Sequence, residues 1–285
     1  MTDQTVSRPR RRRKVRWGIN IVGGIFAVVW VFPVYWMVIT AIKPRSEVMT
    51  TPPVFLPTSI DLQNFVTALV GTTFLVNLRN SVIVVVAAVF FSVLIAFFAA
   101  AALTRFRFRG RRGMMIAILV VQMLPSTALL IPTFLIYNDL GLVGTYGGLI
   151  LAYIATALPF SIWVLRGFFM NIPVELEEAA QMDGASTWRI LWSVLFPLMV
   201  PGLIASSVFA FSAAWNDYIY AYTFMKDQSM YTLPVWLASF SSPLTGTDYG
   251  SQMAASLVFS VPVIVFFLIV QRKLVTGMTA GAVKG

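Results

Sequence analysis

Neither cysteine nor histidine occurs in the 285 residues, and only 11% of them are charged. Without cysteine the chain has no disulfide, no thiol nucleophile and no cysteine-held metal. Without histidine it has no Ser-His-Asp triad, no zinc site of the usual ligand types and no histidine proton relay. Most hydrolytic chemistry is thereby excluded. The shortage of charge excludes more. Soluble domains carry roughly a quarter charged residues, and a soluble chain this long needs polar side chains to cover its surface that are not here. What is abundant is apolar: 58% of residues are hydrophobic and 14% aromatic. The solvent of this chain is largely lipid.

Between the charges lie six uncharged runs: Trp17 to Ile42, Ser81 to Leu103, Gly113 to Asn138, Leu140 to Leu165, Ile190 to Asn216 and Tyr249 to Gln271. A bilayer core of roughly 30 Å needs about 20 apolar helical residues, and each run reaches that after its polar ends are trimmed. The sequence therefore predicts an all-α polytopic membrane protein of six transmembrane helices over about 17–42, 81–103, 114–137, 146–165, 198–222 and 251–271. Leu62 to Leu78 is too short and too rich in Asn and Thr to span, and reads as an interfacial helix. Gln228 to Thr247 is broken by Pro234 and Pro243 and reads as an external loop.

Charge sets the expected orientation. The chain carries 21 basic and 11 acidic residues, a net +10. With both termini cytoplasmic, the inside holds Arg8, Arg10 to Arg13, Lys14 and Arg16; the five arginines of 105–112; and Arg166, Arg189, Arg272, Lys273 and Lys284. Only Lys43, Arg45, Arg79 and Lys226 fall outside. This is the positive-inside asymmetry, so the basic excess is topology and does not call for nucleic acid. Residues 1–16 form a basic cytoplasmic arm, 17–272 the membrane domain and 273–285 a cytoplasmic tail. The first run is not a signal peptide: its apolar part is too long, and no small-residue cleavage site follows.

The segment after the fourth run, residues 171–197, is unlike the other connections. Asn171 can cap a helix start, Pro173 suits a first turn, and Glu175, Glu177 and Glu178 complement the positive end of the helix dipole. Gly184 stops that helix, and Ser186 or Thr187 can cap a second one leading through Trp188 and Leu191 to Pro197. The expected result is two short helices in an L, held beneath the membrane.

This pattern, Glu178-Ala179-Ala180, Gly184 four residues on, then Val194 and Phe196-Pro197, resembles the signature loop of ATP-binding cassette importer permeases. Val194 and Phe196 stand where that family more often has isoleucine and leucine, both conservative apolar changes. The resemblance extends to Phe32-Pro33-Val34-Tyr35-Trp36 with Lys43-Pro44, to Asn77-Leu78-Arg79-Asn80-Ser81, to Trp215-Asn216-Asp217, and to Gln271 to Val275 with Thr279 to Gly285. It is similar to the carbohydrate-uptake branch, and within it to the second permease subunit of maltose-type importers. It covers nearly all the chain after the basic arm.

The resemblance implies the type I permease fold and an importer assembled from a second permease subunit, two cytoplasmic ATPases and an extracytoplasmic sugar-binding protein in a bacterial-type cytoplasmic membrane. ATP and Mg would be bound by the partner ATPase. In agreement, none of the five lysines follows a glycine, so this chain has no phosphate-binding Gly-Lys loop. Glu178, Ala179, Ala180, Asp183, Gly184 and Pro197 would couple the chain to the ATPase, and Thr279, Gly281 and Lys284 would contact it from the tail. Gln122, Asn138, Trp215, Asn216 and Asp217 are pathway or gate candidates. Asp217 lies 20 residues past Pro197, about 30 Å along a helix and so near the outer face, where it could pair with Arg79. A permease for a polyol phosphate or another non-sugar solute stays open as the nearest alternative, with a secondary transporter or channel subunit behind it.

Overall fold

The computed structural model describes residues 17–242 and 246–282. The basic arm 1–16 and Lys284 lie outside the described residues. Helix α1 spans Trp17–Ile42, followed by the single turn α2 (Arg45–Val48) and the short α3 (Gln63–Leu69). Helix α4 spans Phe74–Arg105, α5 Arg111–Met123, α6 Ser126–Asp139 and α7 Tyr146–Met170. Next come α8 (Glu175–Met182), α9 (Thr187–Ile190), α10 (Phe196–Trp215), α11 (Ile219–Phe224), α12 (Leu233–Ala238) and α13 (Tyr249–Ala282). A two-residue hairpin, Ser241–Ser242 with Gly246–Thr247, precedes α13.

Helix α4 is the spine. Ala88, Ser92, Ala96 and Ala100 recur every fourth residue, lie on one face and are all buried. Small side chains on one helical stripe let a neighbouring backbone approach closely where no hydrophobic effect drives helices together. Helices α7 and α10 occupy that side, and α10 comes close enough to α7 that a Cβ on Gly202 would sit 2.6 Å from the Phe168 ring. Helix α1 packs mainly against α13. Both leave long apolar faces uncovered, Val28 and Trp30 on α1 and Ile264 and Ile269 on α13 among them. In a membrane chain such faces meet lipid or another subunit.

The buried side chains form two clusters. One, at the end carrying α3, α11 and α12, gathers Leu149, Tyr153, Trp215, Phe224, Leu233 and Trp236. The other, at the end carrying α8 and α9, gathers Phe97, Leu103, Leu165, Phe169, Ile190 and Met199.

The helix boundaries depart from the sequence reading in five places. The third run is not one span: α5 and α6 meet at 102°. Pro125 has no N–H to continue the ladder and drives Leu124 out of the helical region, to φ −72° and ψ 132°. Among the described residues five helices are thus long and apolar enough to cross a membrane, and six spans are reached if this bent pair counts as one. The second span begins seven residues early, at Phe74, because the polar Asn77, Asn80 and Ser81 are buried and bonded rather than left in lipid. The fifth breaks after Trp215, where Asp217, one residue before the N-cap Tyr218, accepts from the Ala221 amide in the first turn of α11. The Gln228 to Thr247 segment is not simply an external loop. Pro234 lies in the first turn of α12, where proline is tolerated, and Leu233, Val235 and Trp236 enter the core. The last helix continues past Arg272 and Lys273 to Ala282 and carries Thr279 and Gly281 on its backbone, where the sequence reading placed a tail.

Candidate functional site

The two short helices after α7 form the bent element expected from the sequence, with one change at its start. Asn171 does not cap α8; it closes α7, its amide bonding the Phe168 carbonyl at 3.1 Å. Val174 precedes α8 without a side-chain cap, so the three first-turn carboxylates Glu175, Glu177 and Glu178 are what complements the free amides there. The helix ends in a Schellman motif: the Gly184 amide bonds the Gln181 carbonyl at 2.9 Å and the Ala185 amide bonds Ala180 at 3.0 Å. Gly184 takes φ +78°, the left-handed conformation in which a Cβ is strained. Ser186 then caps α9, its hydroxyl accepting from the Arg189 amide at 3.3 Å. A π-helical turn over Leu191–Leu195 carries the chain from α9 into α10, where Pro197 falls in the first turn.

One side of α8 is fixed to the membrane helices. Glu177 is its only buried residue, and its carboxylate meets the Arg105 guanidinium at 2.5 Å, with 11% and 13% of the two side chains exposed. Arg105 also donates to the Ile172 carbonyl at 3.0 Å and lies over the Phe169 ring at 5.9 Å. The last residue of α4 thus holds the end of α7, the connection and α8 together. Burial pushes the Glu177 carboxyl above the usual carboxylate range, and the Arg105 charge works against that rise. Helix α9 is tied to the same spine by aromatics: Trp188 stacks on Phe98 at 6.0 Å and 4°, and Trp192 packs against Phe97, Phe98 and Phe196.

The other side of α8 is uncovered. Glu178 and Ala179 are exposed, Ala180 is half-buried, and Asp183 and Gly184 are exposed. Beside them stand exposed apolar side chains: Val174, Leu176 and, at 89% exposure, Met182. Helix α8 is thus fixed on one face and offers small, acidic and apolar groups on the other.

A family model for binding-protein-dependent transport system inner membrane components matches residues 92–279, from the middle of α4 to near the end of α13. The chain belongs to this family. The matched stretch holds both helices of the bent element and the Arg105–Glu177 pair, and leaves α1 to α3 outside it. Among related transport components, the diacetylchitobiose uptake system permease protein DasC of Streptomyces coelicolor is 40% identical over 266 residues, 93% of this chain and 96% of that protein. The trehalose transport system permease protein SugB of Mycobacterium tuberculosis is 37% identical, covering 89% of this chain and 92% of that one. The trehalose/maltose transport system permease protein MalG of Thermococcus litoralis is 34% identical, covering 93% and 96%. A chain in the crystal structure of a bacterial transporter that imports the acidic polysaccharide alginate superposes with a TM-score of 0.79 at 27% identity, covering 94% of this chain and 99% of that one.

The pathway candidates are not brought together in this family member. Gln122 lies on a cavity of about 240 Å³ between α5, α7 and α10, beside Thr156, Phe160 and Phe209. Asn138 is exposed near the end of α6. Trp215 is buried in the core, its ring stacked 5.4 Å from Phe211. Asn216 bonds back to the Ser212 carbonyl at 2.8 Å. Asp217 does not pair with Arg79; its carboxylate accepts from the Tyr153 hydroxyl at 3.0 Å and from the Ala221 amide at 3.1 Å. These last contacts hold the break between α10 and α11. The residue the sequence reading passed over is Arg105: it was assigned to the positive-inside cluster, and only the fold brings it to Glu177, 72 positions on.

Proposed function

We propose that this chain is the membrane-spanning permease subunit of an ATP-driven carbohydrate importer, forming half of the substrate pathway. Its relatives by name take up diacetylchitobiose, trehalose or maltose, and the alginate importer shares its architecture over nearly its whole length. The observation that carries the reading is α8, held to the membrane helices by Glu177 and Arg105 and free on its opposite face. That free face docks on a cytoplasmic ATPase chain, which binds ATP and Mg. Glu178 and Asp183 make polar contacts at the rim of the dock, Ala179 and Ala180 permit close approach, and Gly184 sets the bend. When the ATPases close on nucleotide, α8 moves as a body, and Arg105 passes that motion directly to α4 while Pro197 and the π-turn pass it to α10.

The same reading places α8 and both termini in the cytoplasm of a bacterial-type membrane, and α3, α11 and α12 on the outside, where an extracytoplasmic sugar-binding protein delivers substrate. A second permease covers part of the exposed α1 and α13 faces. Thr279 and Gly281, near the end of α13, and Lys284, further along the sequence, contact the ATPase. Gln122 is the pathway candidate whose surroundings, a hydroxyl and two aromatic rings, suit a sugar.

Uptake of radiolabelled diacetylchitobiose, trehalose and maltose in the source cells, with and without the gene for this chain, tests the reading. ATP-dependent uptake of at least one, lost on deletion and restored on complementation, is expected. Unchanged uptake of all three would contradict it.

A further inference from the structure

At the end of the bundle opposite α8, the start of α4, helix α11 and the segment leading through α12 enclose a cavity of about 540 Å³. It differs in kind from a second groove of about 510 Å³ between α4, α10 and α13, where Ser207 is the one polar lining residue among the described residues and lipid or a partner helix fits. The outer cavity is walled by tyrosines 218, 222 and 231 and by Trp236, with Asn77 and Gln228 among its polar groups. Tyr218 and Tyr222 are stacked 5.3 Å apart, Tyr231 follows 6.4 Å from Tyr222, and both stacked rings are exposed.

Two features mark a built site. The wall is pinned from behind: Asn80 donates to the Ser229 and Tyr231 carbonyls at 2.8 and 3.0 Å, its own oxygen accepts from the Tyr146 hydroxyl, and the Ser81 hydroxyl accepts from the Leu233 amide at 2.7 Å. Tyr231 and the backbone on either side of it are therefore fixed to α4. Asn77, 1% exposed, bonds Thr73 through one end of its amide, while its carbonyl oxygen has no partner among the described residues. A buried amide oxygen left unsatisfied is unfavourable, and a ligand or an ordered water would relieve it.

We propose that this cavity is a subsite for a neutral sugar, occupied as substrate leaves its carrier and before it enters the membrane pathway. Aromatic faces take the C–H faces of a pyranose ring, and the amides and hydroxyls take its hydroxyl groups. Among the described residues no charged side chain lines the cavity, so none offers a counter-ion to a phosphate or carboxylate, and the volume lies within the range of small-ligand sites. The inference rests on the carbohydrate-importer reading.

It is tested on the native importer, extracted with all its membrane and ATPase subunits but without the binding protein. Labelled diacetylchitobiose, trehalose and maltose are titrated by equilibrium dialysis into wild type, Tyr222→Ala and Tyr222→Phe. Tyr222 is more than half exposed, so its removal leaves the core intact. The sugar that the wild-type system imports should bind. Binding should weaken roughly three- to tenfold in Tyr222→Ala, the size of one aromatic stack, and be retained in Tyr222→Phe. Equal binding to Tyr222→Ala, or none to a wild-type complex that imports the same sugar when its binding protein is added, overturns the subsite and leaves the importer reading standing. Import of none of the three by the complete system overturns both.

Discussion

Removing Arg105 is the sharpest perturbation of the coupling element, because one side chain joins four structural parts. In Arg105→Met the Glu177 carboxylate keeps its burial and loses its counter-ion, and the Ile172 carbonyl loses its donor. Stranding one charge of a fully buried pair costs about 3–5 kcal/mol. Here both side chains retain about a tenth of their surface, and Glu177 can take up a proton more readily than an ordinary carboxylate because burial already favours its neutral form. We therefore expect the lower end, about 3 kcal/mol, felt as loss of local order in α8 rather than global unfolding. Amide hydrogen exchange across residues 174–185 in the purified complex should accelerate by roughly 100-fold, or to the unprotected rate where the initial protection is smaller. Import per ATP hydrolysed should fall with it. The double variant Arg105→Met with Glu177→Leu replaces the pair by apolar groups of similar size, which is near neutral for a buried pair, and should regain most of the protection. Unchanged exchange in Arg105→Met, or a double variant no better protected than the single one, would refute the account of the strut.

Two glycines give further tests. Gly184→Ala places a Cβ at φ +78° and should weaken the α8 cap by about 1 kcal/mol, with Gly184→Asn less affected because asparagine tolerates that conformation; transport per ATP in reconstituted vesicles should rank the three in that order. Gly202→Ala forces a carbon to within 2.6 Å of the Phe168 ring and should lower the stability of the extracted chain by about 1–3 kcal/mol in thermal denaturation, whereas Gly167→Ala, with open space around it on α7, should be neutral or stabilising.

How much was legible in the sequence depended on whether a feature has a local cause. The spans of α1, α7 and α13 follow from uncharged runs, since lipid demands only length and apolarity. The bend of α8 follows from Gly184, because few residues other than glycine enter that conformation easily. Pro125 was visible, but a proline inside an apolar run reads equally as a mild kink or a 102° break, and packing of α6 against α7 and α11 decides between them. Helix α12 was hidden by its own proline and hydroxyls, whose burial depends on Asn80 and Ser81 far away in the chain. The Arg105–Glu177 pair was unreadable for a different reason. Each member already had a sufficient local explanation, the arginine as a topology signal and the glutamate as a helix-dipole partner, so nothing in the sequence asked for a second.

The central claim is that α8 is where an ATPase docks. The most direct measurement is to tag this chain, extract it gently from its native membrane, and identify by mass spectrometry what accompanies wild type and Glu178→Lys. Glu178 is exposed, and Glu175 and Glu177 remain in the variant to complement the first turn of α8, so the variant should insert normally. The account predicts a second permease with both proteins and an ATP-binding chain with wild type alone. An ATPase recovered equally with Glu178→Lys, or a wild-type chain recovered alone under conditions that keep a known importer intact, would contradict it.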